Sequence, residues 1–137
     1  MNFQGNVTCA EAWTRLSENP RTVLVDCRTQ AEWNFVGVPD LTTIGKRTVF
    51  VEWLDYPDGA LNPQFVAELR AAGVKEDDEV LFLCRSGHRS MGAAEAATAA
   101  GYGQAYNILD GFEGPLDAEG HRGGAGWRAA LLPWQQA

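Results

Sequence analysis

Glu79-Val80-Leu81-Phe82-Leu83-Cys84-Arg85-Ser86-Gly87-His88-Arg89-Ser90 decides how this chain is read. Its first six residues form an apolar run of the length and composition of a strand buried on both faces. An alanine-rich stretch, from about Ser90 to Ala100, has the composition of a helix and ends at Gly101, and its small side chains would let it lie close against a sheet. Between them, Cys84 to Arg89 must turn the chain from strand to helix within six residues. A curled loop of this kind can aim several backbone N–H groups at one point, and the following helix adds its positive end there. Arg85 and Arg89 add charge, with no indication in sequence of which faces inward. These effects favour a thiolate, so a depressed pKa is expected at Cys84. Gly87 permits a positive φ, and Ser86 and Ser90 can donate further hydrogen bonds.

The same alternation extends outward in both directions. Thr22–Asp26, Thr48–Trp53 and, more weakly, Ala105–Leu109 read as strands, with a short one near Asn6–Val7. Thr8-Cys9-Ala10-Glu11 and Thr29-Gln30-Ala31-Glu32 are capping boxes that open helices. The first helix is expected to bury Ala12, Trp13 and Leu16. Asn62-Pro63 offers an N-cap and a proline at the first helical position. Phe65, Val66, Leu69 and Ala72 then follow at helical spacing, with Gly73 as the C-terminal cap. Strand and helix in turn predict an α/β class with a mainly parallel sheet, in which ligands bind beyond the carboxyl ends of strands.

With 137 residues, 45% hydrophobic and 21% charged, the chain fits one soluble domain over 1–137. It has no apolar run long enough for a membrane span and no secretory signal at Met1–Asn6, which favours a cytoplasmic location. A net charge of −7 without a basic cluster argues against nucleic acid. Arg85, His88 and Arg89 therefore stand out as a local positive patch. Cys9, Cys27 and Cys84 show neither CxxC spacing nor a zinc-like cluster, so they read as free thiols.

Cys84–Ser90 resembles the active-site loop of the rhodanese family, commonly C-R-x-G-x-R/T. Asp26-Cys27-Arg28 is similar to the family's D-x-R, and Glu32-Trp33 to its acidic-aromatic pair. Asp110-Gly111-Phe112 resembles its turn after the last core strand, and Gly126-Trp127 to Leu132-Pro133 its W-x-x-x-x-x-P ending. The family's H-I-P-G-A stands here as Gly37-Val38-Pro39-Asp40-Leu41, without the histidine.

The resemblance implies a rhodanese-like fold, a central parallel five-stranded sheet with helices on both faces. It also implies a sulfurtransferase: Cys84 takes a sulfane sulfur from thiosulfate or a related donor as a persulfide and passes it to cyanide or a thiol. No cofactor or metal is required, and a sulfur-relay protein is a possible partner. Arg85, Ser86, Gly87, His88, Arg89 and Ser90 would bind the substrate. Arg28 would pair with Asp26 or Glu32 to brace the loop. Two other readings remain, a sulfur-carrier or protein-binding module without turnover and a phosphatase or arsenate reductase. The related phosphatases carry one more residue in the cysteine loop. Cys27 reads as a packed residue, with a resolving disulfide to Cys84 as the alternative, and Cys9 as structural. The Gly-rich insertion 114–126 is long for a connection and reads as a solvated loop or a flap. Trp127 and Trp134 are expected to pin the C-terminal segment 127–137.

Overall fold

The computed structural model describes residues 2–54 and 59–136. Strands β1 (Gly5–Val7), β2 (Thr22–Asp26), β4 (Val49–Phe50), β5 (Glu79–Leu83) and β6 (Gln104–Ile108) form a parallel sheet in the order β1-β6-β5-β2-β4. A small antiparallel pair joins β3 (Val38–Pro39) to β7 (Trp134–Gln135). Both faces of the sheet are covered. One face packs Ala12 and Leu16 of α1 (Cys9–Glu18) with Phe112 and Trp127. The other packs Phe65 and Leu69 of α3 (Phe65–Ala71) with Ala93, Ala94 and Ala97 of α4 (Arg89–Ala99). The fold class is the α/β architecture expected from the sequence.

Local chemistry explains the element ends. Thr8 accepts from the Glu11 amide while the Glu11 carboxylate accepts from the Thr8 amide, and Thr29 and Glu32 do the same at the head of α2 (Gln30–Phe35). These reciprocal bonds satisfy amides that a helix start otherwise leaves without partners. Trp13 is only partly buried, and its ring meets Trp127 edge-on at 6.0 Å.

Three local expectations are corrected. The strand expected over Thr48–Trp53 is reduced to Val49–Phe50, at the sheet edge, where β4 pairs with β2 alone among the described residues. Helix α3 begins at Phe65 with Gln64 at the cap position, not at Asn62-Pro63. The Asn62 side chain accepts from the Gln64 amide and donates to the Glu52 carbonyl, so it shapes the turn before the helix. Ala72 is exposed, and Val74, past the Gly73 turn, enters the core instead.

The pleat of β5 sets the direction of the cysteine. Val80 and Phe82 face α3 and α4, while Leu81 and Leu83 face α1. Side chains alternate along a strand, so Cys84, one residue beyond β5, turns toward the side where α4 begins. Cys27 holds the equivalent place after β2, where its amide donates to the Leu83 carbonyl at 2.9 Å.

Candidate active site

The Cys84 sulfur lies inside the curl of its own loop. The Gly87 amide donates to it at 3.2 Å and the Ser90 amide at 3.3 Å, and the Ser90 hydroxyl lies 3.1 Å away. At His88, the N-cap position just before α4, no side-chain capping bond forms among the described residues. The sulfur fills that place, accepting from a first-turn amide as a capping oxygen would. The helix end and the curled loop therefore converge on one atom. Ser90 is oriented in turn, because its hydroxyl also bonds the Asn107 side-chain oxygen while the Asn107 amide nitrogen donates to Asn6.

The loop keeps this shape because a second turn supports its outer carbonyls. Phe112 N donates to the Cys84 carbonyl at 2.8 Å, and Glu113 N to the Arg85 carbonyl at 2.9 Å. Asp110 and Gly111 in that turn both have positive φ, 65° and 61°. A Cβ on Gly111 would meet the Arg85 carbonyl carbon at 2.6 Å, so the close approach of the two backbones requires glycine. Gly87, with φ of 94°, has the Asp110 amide 3.0 Å from the place a Cβ would occupy.

The charged residues sort into pairs. Arg28 and Asp26 are both fully buried and joined by short bonds, the Arg28 Nη2 reaching Asp26 Oδ2 at 2.7 Å and the Gly37 carbonyl at 2.7 Å. The Arg28 guanidinium also lies over the Phe112 ring, 4.3 Å from its centre. The pair thus ties the end of β2 to the turn beneath the cysteine loop. Arg28 pairs with Asp26, leaving Glu32 for the loop itself: both of its oxygens accept from Arg89, at 2.8 and 2.9 Å. Arg85 pairs with Glu113 at 3.2 Å. The local positive patch expected at Arg85, His88 and Arg89 is therefore corrected at its two arginines: each guanidinium is balanced by a carboxylate.

Burial by itself would raise the Glu32 carboxyl, but the Arg89 bonds and charge, with the Thr29 amide, outweigh it and hold it below its usual range. A depressed folded-state pKa means that this contribution to stability is present above the unfolded value, ~4.3, and disappears as pH falls through the folded one. We expect wild type to be more stable than Glu32→Gln at neutral pH, with the gap closing in acid below the ordinary carboxylate range. Urea unfolding at a series of pH values measures this difference, and a gap that widens toward acid would contradict the pairing.

The other two thiols are poorly placed for attack. Burial, then the neighbouring Cys84 and Asp26, push Cys27 well above the ordinary thiol range, although Arg89 opposes them. Its sulfur donates to the Leu83 carbonyl at 3.3 Å. Burial, with Asp110, pushes Cys9 up to about 12. Both are therefore protonated thiols at neutral pH, as packed residues would be.

A cavity of about 550 Å³ opens beside the loop, lined by Thr29, Glu32, Arg85, Ser86, His88 and Arg89 among others. His88 is exposed at its rim. Arg122, from the Gly-rich insertion, reaches the same cavity, which no sequence spacing announces. The family histidine's place is taken by Gly37, where a Cβ would meet the Trp134 ring at 2.9 Å. Trp134 of β7 fills that space and meets Phe112 edge-on at 5.9 Å, while Trp127 is fully buried and donates to the Pro133 carbonyl at 2.8 Å. The described residues contain no cluster of His, Cys, Asp or Glu suited to a metal ion and no helix long and apolar enough to cross a membrane.

Residues 4–137 match the family model of the STR4 middle domain. The chain belongs to this family. Its module is rhodanese-like: it is 28% identical over 131 residues to the chloroplastic rhodanese-like domain-containing protein 4 of Arabidopsis thaliana, covering 95% of this chain and 25% of that one. The chain therefore spans about a quarter of that relative's length. The crystal structure of Rv0390 from M. tuberculosis is 58% identical and superposes with a TM-score of 0.90, covering 98% of this chain and 99% of the other. The polysulfide-sulfur transferase homodimer of Wolinella succinogenes shares the fold, with a TM-score of 0.64 at 20% identity over 98% of this chain and 80% of that one.

Proposed function

We propose that this rhodanese-like module is a sulfurtransferase whose Cys84 carries the transferred sulfur as a persulfide. The observation that carries the reading is the convergence of the Gly87 and Ser90 amides on Sγ at the start of α4. Hydrogen-bond donors and a helix N-terminus both stabilise an anionic sulfur relative to a neutral one.

With thiosulfate, the Cys84 thiolate attacks the sulfane sulfur. An S–S bond forms at Sγ, the bond from the sulfane sulfur to the sulfonate breaks, and sulfite leaves with the electron pair. Cyanide or a thiolate then attacks the outer sulfur of the persulfide, and the electron pair of the breaking bond returns to Sγ. The nucleophile ends as it began, so the cycle needs no metal or redox cofactor. The same amides serve the thiolate at the start and the end, and the persulfide between. Cys27, protonated and bonded to Leu83, leaves the persulfide available to an external acceptor.

Turnover with a panel of thiosulfate, 3-mercaptopyruvate and glutathione persulfide, using cyanide as acceptor, tests this reading. We expect thiocyanate to form with double-displacement kinetics from at least one donor. Sulfur loading without sustained turnover would make the module a carrier, and no loading from any donor would refute the sulfur-transfer reading.

A further inference from the structure

We propose that Arg122 is a substrate-positioning residue that binds the anionic group, sulfonate or carboxylate, of the molecule bringing sulfur to Cys84. The identity of that molecule as a sulfur donor rests on the proposed function; the anion site itself rests on the charges around the cavity.

Among the cavity-lining side chains, Glu32 is matched by Arg89, and Arg85 is matched by Glu113. Arg122 forms no ion pair among the described residues. Among the described residues its guanidinium is therefore a cavity-wall cation without a carboxylate partner, on a chain of net charge −7. A fixed cation partly shielded from water attracts a small anion more strongly than one in bulk solvent.

Arg122 is held in place. Its Nη1 donates to the Gly114 carbonyl at 2.8 Å, while its Nε is buried and has no hydrogen-bond partner among the described residues. A buried N–H of a charged group without an acceptor is costly, and an anionic oxygen seated in the cavity would relieve it. The segment that carries Arg122 is built to present it. Asp117 Oδ1 accepts from the Glu119 and His121 amides, at 2.9 and 2.8 Å, and the Gly123 amide returns to the Glu113 carbonyl at 3.0 Å. Glu113 is also the partner of Arg85, so the insertion closes back onto the cysteine loop.

The test compares the rates at which Cys84 is alkylated by iodoacetate, an anion, and iodoacetamide, its neutral counterpart, with the modified peptide identified by mass spectrometry. Arg122→Gln removes the charge and keeps a donor for Gly114, and Arg122→Lys keeps the charge. We expect the iodoacetate-to-iodoacetamide ratio to fall about fivefold in Arg122→Gln and to be largely retained in Arg122→Lys. Because it is a ratio, a general opening of the loop does not produce this result. In sulfur loading, the donor whose half-saturating concentration rises in Arg122→Gln, thiosulfate or 3-mercaptopyruvate, is the one whose anionic group Arg122 holds. An unchanged alkylation ratio in Arg122→Gln overturns the proposal. A lowered ratio in a protein that accepts sulfur from no donor would sustain the anion site and refute the sulfur-transfer reading alone.

Discussion

Arg28→Ala should cost about 3–5 kcal/mol of folding stability, the range for removing one partner of a buried ion pair. The substitution leaves the Asp26 carboxylate fully buried with the backbone amide of residue 28 as its remaining donor among these bonds. It also removes the cation over Phe112, whose amide holds the Cys84 carbonyl. Typical domains are stable by only 5–15 kcal/mol, so the loss is a large fraction of the whole. Urea unfolding measures it. Replacing both residues together, as in Asp26→Leu with Arg28→Met, should cost less than the two single changes added, because neither charge is then left alone. Additive costs would mean that the pair is not acting as a unit.

The second large effect is chemical. Cys84→Ser should reduce thiocyanate formation to the uncatalysed background while changing stability little. The serine oxygen can still accept from the Gly87 and Ser90 amides, so the loop keeps its internal acceptor. A hydroxyl is far less nucleophilic toward sulfur than a thiolate, and no general base stands among the atoms bonded to Sγ. Neither Cys27 nor Cys9 can substitute, since burial holds both as thiols. Retained turnover in this variant would place the nucleophile elsewhere.

The parts of this site legible in the sequence were those set by local rules. The run Glu79–Cys84 reads as a strand from its composition, and it forms β5 with Cys84 just beyond its carboxyl end. Both capping boxes are local hydrogen-bond patterns, and both form as spelled out. The resemblance to the rhodanese loop located the cysteine and its neighbours.

What sequence could not supply was the pairing of charges. Arg85, His88 and Arg89 read as a local positive patch, but Glu113 and Glu32 reach the two arginines from distant segments. Arg28 could have taken either Asp26 or Glu32, and the choice depends on how β2 and α2 pack. Arg122 was hidden for the same reason: it lies in a Gly-rich stretch without periodicity, and its proximity to the loop is a product of folding. The start of α3 is not fixed by local sequence, because Asn62 can serve equally as an N-cap or as a turn residue, and its bonds to Gln64 and Glu52 select the turn.

If sulfur resides on Cys84, peptide-level mass spectrometry after exposure to the donor panel should find one added sulfur on the peptide containing Cys84, removed by cyanide as thiocyanate, with the peptides of Cys9 and Cys27 unmodified. Added sulfur on either of those two peptides, or on none, would contradict that assignment.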